Sequence, residues 1–328
     1  IFCIILFFTL VKTISILDNV WCNIHYSMSI SRQNLSIVIV TLKSENVIYQ
    51  CIKSINKDIP IIVVENSSNS KFKEDLEKKY ANVKCTLSFK NLGMGSGNNL
   101  GIKLSSTNYV LILNPDVILE TNTIDEIILA FKTIQDFAIL APILADKNYP
   151  NYQLDQNNEF SIQTEKAFKV KNVDGFAMLL NKKKLENILS KETSNDELNY
   201  FDENFFMYLE NDDLCKRVIN NGGNIYVVPK AKINHLAAKS VDQKFADEVE
   251  FSRNWHWIWS KFYFNKKHFG FLKAFAEGFP RFFLSIFKYL FFLLINNKTK
   301  KKIYFNRASG FYNATIGKPS WYRPNFNE

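Results

Sequence analysis

Short apolar runs rich in β-branched residues recur along the first part of the chain, and amphipathic stretches separate them. Runs of this kind are typical of strands that are buried on both faces of a sheet. The strand patterns are LSIVIVT (35–41), PIIVVE (60–65), VKCTLSF (83–89) and YVLILN (109–114). Helical patterns follow over about 45–56, over 71–80 and over the glycine-rich segment NLGMGSGNNLGIKLSS (91–106). The alternation predicts an α/β domain with a mostly parallel central sheet.

The same alternation resumes after a polar segment, 146–168, which we expect to be a variable loop. Strand patterns then appear in VDGFAMLL (173–180) and IYVVP (225–229), and short helices are predicted over 182–189 and about 211–220. Acidic residues at the start of the second helix suit its dipole, and two glycines can end it.

Aromatic and basic residues mix in helical patterns from residue 251 onward. Lys273, Glu277, Arg281 and Lys288 fall within an arc of about 80° at 100° per residue. This pattern predicts an amphipathic helix that is interrupted or started at Pro280. Its apolar run is shorter than the roughly 20 residues that span a bilayer, so we expect it to lie in the membrane interface, with NNKTKKK at the head groups. The alternative is a helix packed on the rest of the protein.

Charge is unevenly distributed along the 328 residues, whose net charge is +9. Residues 251–328 hold fourteen Lys and Arg against two acids, a balance of +12, so the rest of the chain carries −3. A basic, aromatic tail favours an anionic partner surface, either a membrane or a nucleic acid. Three tryptophans (Trp255, Trp257 and Trp259) suit a membrane interface. We therefore expect a membrane surface and no nucleic acid as partner.

The N-terminal segment IFCIILFFTLVKTISIL is apolar but marginal as an anchor or signal, since its 17 residues include a lysine. MSISRQNLSIVIVT, from Met28, has the pattern of a natural start. We divide the chain into an extension (1–34) that is non-native or a weak membrane segment, an α/β domain (35–243) and a helical, membrane-peripheral region (244–328). Five scattered cysteines without a CxxC pair fit a reducing compartment rather than a disulfide framework.

Polar groups at predicted strand ends are candidates for chemistry. Glu65 closes the second strand and Asp116 follows the fourth, and ligands of open α/β sheets bind at the carboxyl ends of strands. Asp116 is a hard oxygen ligand suited to Mg²⁺ or Mn²⁺ at a diphosphate, and His235, after a later strand, could complete such a site. The glycine-rich segment allows backbone to approach a ligand, although a plain turn that packs a helix on the sheet explains it as well.

The order of VIVT, VVEN, NLGMGSGNNLG, LNPD, VDGFAMLL, FDENFFMYLENDDLCKR, NHLAAKS and GKPSWYRP resembles a family 2 glycosyltransferase of the GT-A fold, and within it bacterial rhamnosyltransferase-like members. The resemblance spans roughly residues 35–325. It implies a Rossmann-like sheet with helices on both faces, followed by C-terminal amphipathic helices. It also implies an inverting transferase that uses a nucleotide-diphosphate sugar and a divalent metal, Mg²⁺ or Mn²⁺.

The resemblance carries over to single positions of this sequence. The D-x-D motif of the family appears as Asn114–Pro115–Asp116, so one acid remains to hold metal, and His235 matches a position that contacts metal or diphosphate. Asp174 matches a position on the acceptor side. The donor-binding positions are Thr41, Glu65, Asn91, Gly93, Gly97, Asn98 and Asn114.

The acidic segment LENDDLC provides the candidate general base. The family usually has E-D-x-D-L-C here, and this chain has Asn211 as the second residue of the pair. We therefore take Glu210 as the first candidate for the base and Asp213 as the second. Asp212 is interpreted as a helix cap.

The function expected from the sequence is transfer of one sugar, with rhamnose as an example, to a lipid-linked or polysaccharide acceptor in cell-surface glycan synthesis such as O-antigen. The expected location is the cytoplasmic face of the inner membrane. Two alternatives stay open. One is a catalytically impaired, membrane-associated scaffold of the same fold. The other is a sugar nucleotidyltransferase, which the absence of glycine in TLKSEN disfavours.

Overall fold

The computed structural model describes residues 32–134, 136–146, 148–154, 165–190, 199–236, 241 and 243–326. The strands of the described residues are β1 (Leu35–Thr41), β2 (Ile61–Glu65), β3 (Val83–Leu87), β4 (Tyr109–Leu113), β5 (Val117–Leu119), β6 (Ile139–Leu144), β7 (Tyr152–Gln153), β8 (Phe168–Val170), β9 (Asn172–Val173), β10 (Ala177–Asn181) and β11 (Ile225–His235).

The helices of the described residues are α1 (Glu45–Lys53), α2 (Ser70–Lys79), α3 (Met94–Leu104), α4 (Thr123–Thr133), α5 (Lys182–Leu189), α6 (Glu210–Asn220), α7 (Ala246–Phe269), α8 (Phe271–Leu294) and α9 (Lys298–Thr315). A 3₁₀ turn, Gln243–Phe245, precedes α7. The elements expected from the sequence over 35–235 are present, with ends that shift by a few residues. The expected strand 225–229 extends to His235.

Nine strands form a mixed sheet in the order β3-β2-β1-β4-β10-β6-β11-β5, with β8 paired beside β11. Strands β1, β2, β3, β4, β6 and β11 run in one direction, and β5, β8 and β10 run against them. The antiparallel strand β10 lies between β4 and β6. It therefore starts where β4 ends, which brings the residues before β10 to the carboxyl edge of β4.

Both faces of the sheet are covered, which explains the continuous apolar runs. In β1, Ile37 and Ile39 belong to one buried cluster and Val38 to another on the opposite face. Alternate side chains of a strand point to opposite faces, so a strand covered on both sides needs apolar residues at every position.

The C-terminal helices build a third apolar cluster of their own, which is centred on Trp255, Trp259 and Phe311. Gly310 allows α9 to approach α7 closely, because a Cβ there would lie 2.5 Å from the Trp255 carbonyl oxygen. Helix α8 continues through Pro280, so the expected interruption is wrong. Proline has no backbone N–H, so the helical hydrogen bond to the Ala276 carbonyl is lost. This loss costs little, because Pro280 and Ala276 are both exposed and water can reach the carbonyl.

Within the described part of the chain, none of the helices combines the length and apolar content needed to cross a bilayer. The expected N-terminal extension lies outside the described residues, apart from its last three, and so does 155–164 of the expected variable loop. The domain boundaries stay predictions.

Candidate active site

The carboxyl edge of the sheet collects most of the predicted site residues. Thr41 and Glu65 end neighbouring parallel strands and are register partners. His235 ends β11 and pairs with Val117, the residue after Asp116. Ala177 at the start of β10 pairs with Leu113 at the end of β4. Residues before β10 therefore meet the Asn114–Asp116 turn at this edge.

Glu65 is buried and its carboxylate is used by its own turn. Its Oε1 accepts hydrogen bonds from the Ser67 backbone N (2.9 Å) and hydroxyl (2.5 Å), and its Oε2 accepts one from Asn69 N (2.7 Å). Asn69 in turn caps α2 by accepting from Phe72 N. The geometry gives Glu65 a structural task, while the buried hydroxyl of Thr41 beside it has no hydrogen-bond partner within the described part of the chain. Nucleotide contact by either residue stays a prediction.

Two glycines of the glycine-rich segment are required by packing. Gly93 has φ +82°, and a Cβ there would lie 2.1 Å from the Phe206 carbonyl oxygen, which accepts a hydrogen bond from Met94 N. A Cβ at Gly97 would lie 2.9 Å from a methyl of Val40. These contacts seat α3 on β1 and against the segment that leads to α6, as the packing interpretation expected.

Some side-chain atoms of the asparagines in this region have hydrogen-bond partners, and others have none among the described residues. Asn91 Oδ1 accepts a hydrogen bond from Gly93 N (3.1 Å), and Asn66 Nδ2 donates to the Gly93 carbonyl (3.1 Å). The side-chain oxygens of Asn66 and Asn98 are buried without hydrogen-bond partners among the described residues. Unpartnered buried acceptors are costly in a folded protein, so a ligand that donates hydrogen bonds would be favoured here.

Asp116 and His235 form a close pair. Asp116 Oδ1 is buried, has no hydrogen-bond partner in the described ranges and lies 3.4 Å from His235 Nε2. The Asp116 carbonyl accepts a hydrogen bond from Leu236 N (3.0 Å), which holds the end of β11 against the turn. The His235 ring stacks on Phe176 with 4.4 Å between ring centroids. The structure thus brings together the two residues that the sequence predicted as metal ligands.

The segment Asp174–Phe176 connects this pair to the acidic helix α6. Phe176 contacts His235, while a Cβ at Gly175 would lie 3.0 Å from the Asn211 Cβ. Burial raises the pKa of the Asp174 carboxyl, the negative charge of Asp212 raises it further, and the His235 ring opposes this shift. Asp174 is therefore within electrostatic reach of both sides of the site.

Glu210 opens α6 directly after two residues with left-handed backbone, Tyr208 (φ 71°) and Leu209 (φ 66°). Such consecutive non-glycine conformations cost energy and persist where the surroundings enforce them. Tyr208 is held by Arg253, whose Nε donates to its hydroxyl (2.9 Å). Glu210 Oε2 is buried, and none of the described residues is its hydrogen-bond partner. Burial raises the pKa of Glu210 to about 7; its own backbone N–H opposes this shift, and Asp212 adds to it.

Asn211, which stands where the family usually has an acid, is fitted to this site. Its Nδ2 donates to the Val173 carbonyl (3.0 Å) and so ties α6 to the segment that carries Asp174. A carboxylate could not make this bond, because it has no proton to donate. Asp212 accepts a hydrogen bond from Asn172 Nδ2 (2.5 Å), a contact to the same segment.

Asp213, the second candidate base, is fully buried and surrounded by nitrogen donors. Arg217 Nε lies 2.8 Å from Oδ2, while Lys267 Nζ (2.7 Å) and His268 Nε2 (2.9 Å) contact Oδ1. Lys267 and His268 belong to the last turn of α7, so Asp213 fixes α6 to the C-terminal helices. Both of its oxygens are occupied by these donors, which leaves Glu210 as the better candidate for the base.

A resident divalent cation can be tested against the residues present. No cluster of three or more His, Cys, Asp or Glu side chains suited to a metal occurs in the described ranges. The unpartnered Asp116 Oδ1 and the His235 ring nitrogen nevertheless offer two ligands of suitable chemistry. Mg²⁺ is commonly held by one or two carboxylates together with substrate phosphates. The site therefore fits an ion that is shared with a bound diphosphate.

Residues 36–189 match the family model described as Glycosyl transferase family 2. The matched residues are slightly less than half of the chain, and over them the chain is similar to this family. The matched segment includes the donor-binding and metal positions up to Asp116 and also Asp174. Glu210, Asp213 and His235 follow it, so the family match does not cover the candidate base.

A curated relative is the low-salt glycan biosynthesis hexosyltransferase Agl10 of Haloferax volcanii, which is 26% identical over 208 residues. The alignment covers 58% of this chain and 64% of the relative, so the chain spans less than two thirds of that protein.

Among solved structures, GalNAc-T7 with UDP, GalNAc and Mn²⁺ has a TM-score of 0.51 at 11% identity, covering 62% of this chain and 43% of that chain. S. aureus TarS 1–349 has a TM-score of 0.48 at 15% identity, with coverages of 88% and 93%. The fold prediction is confirmed: the chain has a GT-A-like α/β fold with a mostly parallel mixed sheet and C-terminal helices.

Several residues of the site were not predicted from the sequence. Lys267 and His268 gave no local signal, since they lie more than fifty positions after Asp213. Arg323 stacks on the Phe206 ring at 3.7 Å from its centroid, and only the aromatic tail hinted at such a contact. A small pocket lies elsewhere, between α7, α8 and α9, and none of the predicted site residues lines it.

Proposed function

We propose that this chain is an inverting glycosyltransferase that moves a hexose from a nucleoside-diphosphate sugar to an acceptor hydroxyl in glycan synthesis. The observation that carries the proposal is the carboxylate of Glu210, whose Oε2 is buried with no partner among the residues that the structure describes and whose pKa is raised to about 7. A base with such a pKa can accept a proton near neutral pH. The family match and the curated hexosyltransferase support the same reaction class.

In the proposed reaction, Glu210 accepts the proton of the acceptor hydroxyl while that oxygen bonds to the anomeric carbon of the sugar. The bond from this carbon to the diphosphate oxygen breaks, the nucleoside diphosphate leaves with the electron pair, and the configuration inverts. Asp116 and His235 are the residues that would hold Mg²⁺ or Mn²⁺, whose charge offsets that of the diphosphate. Asp174, on the bridge between these groups, is proposed to face the acceptor.

The sugar is proposed as a hexose because the curated relative is named a hexosyltransferase. Rhamnose, a lipid-linked or polysaccharide acceptor and the cytoplasmic face of the plasma membrane stay predictions from the sequence resemblance. A set of UDP- and dTDP-hexoses that includes dTDP-rhamnose, each with Mg²⁺ or Mn²⁺, tests the donor by release of nucleoside diphosphate.

The variants Glu210→Gln and Glu74→Gln make the test specific. Glu74 is an exposed acid on α2, outside the site, and serves as the matched control. We expect the Glu210 change to lower turnover by on the order of 10²–10⁴-fold and the control to keep full rate. If the Glu210 variant keeps full turnover, that residue is not the base. Nucleotide binding without turnover of any donor would favour the impaired scaffold instead.

A further inference from the structure

Helix α8 is amphipathic with its apolar side turned away from the protein. Five of its exposed large apolar side chains lie on one side: Leu272 (83%), Phe283 (60%), Phe287 (70%), Leu290 (50%) and Leu294 (85%). At 100° per residue they fall within an arc of about 60°. A helix on the surface of a water-soluble domain normally shows the reverse arrangement, with its apolar side toward the core.

The side of α8 that faces the protein lies opposite this arc. Ala274 and Ser285 are the buried residues of the helix, at 1% and 6% exposure. They lie about 170° and 190° from the centre of the apolar arc, at 100° per residue. Gly278 adds a close approach on this side, because a Cβ there would lie 2.3 Å from the Phe311 ring. The packing against α7 and α9 is therefore complete without the outward phenylalanines and leucines.

Positive charge borders the outward apolar surface. Lys273, Arg281 and Lys288 lie along one flank of α8, at about 200–280° where the apolar arc spans about 100–160°. The first turn of α9 adds Lys298, Lys300 and Lys301, which follow Leu294 closely in the chain. Acids are scarce here: the only two acidic residues of 251–328 are Glu277, which accepts a hydrogen bond from Asn265 (2.8 Å), and Glu328.

We propose that the outward face of α8 binds the surface of a bilayer that contains anionic lipids, with the helix lying in the interface. A cationic flank beside an apolar arc matches a layer of anionic head groups over acyl chains. A second copy of this chain fits less well, because joining two such faces would bring one basic row against another, with Glu277 as the one acid of the row to offset it. The helix is about 36 Å long at 1.5 Å per residue, so it offers a long, shallow contact.

The proposed docking face has a fixed relation to the candidate active site. Helix α8 starts at Phe271, directly after the turn of α7 whose Lys267 and His268 hold Asp213 of α6. Docking would therefore hold the cleft at a set distance from the lipid surface, which suits the lipid-linked acceptor of the proposed function. The docking proposal does not depend on that function, and its test requires no sugar transfer.

Co-sedimentation with lipid vesicles tests the docking face with the full chain. The vesicles are phosphatidylcholine alone or with roughly 30% phosphatidylserine, at low and high salt. One variant replaces Phe283, Phe287 and Leu290 with serine. The control variant replaces three exposed apolar residues of the α/β part with serine: Phe89, Leu129 and Tyr149.

We expect the wild type and the control to bind the anionic vesicles, and high salt or pure phosphatidylcholine to weaken binding. The α8 variant should bind at least about tenfold more weakly, because three apolar side chains no longer enter the interface. Binding of the α8 variant at wild-type strength, or no vesicle binding by the wild type, overturns the proposal. A wild type that is dimeric in light scattering, together with a monomeric α8 variant, also overturns the proposal, since the occupant of the face would then be a second copy.

Discussion

The pH dependence of catalysis is the sharpest consequence of the position of Glu210. Its pKa of about 7 reflects a carboxyl that burial keeps from water, with Asp212 adding negative charge and its own backbone N–H opposing the shift. A general base works in its ionised form, so kcat/KM should fall on the acid side with a midpoint near pH 7. At pH 5.5 about 3% of a group with this pKa is ionised, and the rate should be about 30-fold below its plateau.

The raised pKa of Glu210 also predicts that the folded protein becomes less stable as the pH rises, while its activity increases. The pKa of Glu210 in the folded protein lies above the usual 4.5, so the folded state favours the protonated form. The stabilisation from the bound proton is complete below about pH 4.5 and is lost as the pH rises through about 7. Glu210→Gln removes the buried charge, and the variant should exceed the wild type in unfolding free energy by at most about 3 kcal/mol at pH 8, with little difference near pH 4.

Two measurements check this reasoning. The first is kcat/KM against pH for the wild type and for the control Glu74→Gln, which should share the same acid limb. The second is thermal unfolding of the wild type and of Glu210→Gln from about pH 4 to pH 8. An acid limb centred near pH 4.5 would refute the buried base. A Glu210→Gln protein that is less stable than the wild type at pH 8 would refute the inference that ionised Glu210 destabilises the folded wild type.

Three further predictions concern the surroundings of the base. Asp116→Ala should abolish stimulation by Mg²⁺ or Mn²⁺, which a metal titration of donor hydrolysis measures, whereas unchanged stimulation would exclude Asp116 as a ligand. Gly93→Ala should lower the free energy of unfolding in urea by at least about 2 kcal/mol, because of backbone strain and the clash with Phe206. Gly222→Ala is the control for strain alone, since Gly222 has φ +79° and open space around it. Asp213→Asn should cost about 3 kcal/mol, because Arg217 and Lys267 lose the carboxylate that offsets their charge. It should not move the acid limb, and a displaced limb would make Asp213 a candidate for the base again.

The fold was predictable because the sheet is covered on both faces. A strand in such a sheet has apolar residues at every position, and runs such as LSIVIVT mark it without any contact information. The insertion of β10 between β4 and β6 against the parallel direction had no local signal, because strand order depends on long-range pairing. The passage of α8 through Pro280 was also hidden, since it depends on which side of the helix meets water.

The candidate site was predictable where the chemistry lies at a strand end. Asp116 and His235 were expected to meet and do so, because β5 and β11 pair at that point. Glu65 shows the limit of this reasoning, since its carboxylate is satisfied by the turn that follows it. The motif E-N-S-S-N contained that signal, as serine and asparagine after a strand commonly form such turns.

The first turn of α6 shows why a dense acidic cluster can be stable beside aromatic residues. Its acids face different environments: Asp213 turns inward to Arg217, Lys267 and His268, whereas Glu210 Oε2 is buried with no hydrogen-bond partner among the described residues. The buried ion pairs of Asp213 fix the helix to α7, so the unpaired carboxyl can be held in place although ionising it is unfavourable. Rigid support of one acid by another is what a base of raised pKa requires, because a mobile glutamate would turn toward water and its pKa would return to the ordinary value.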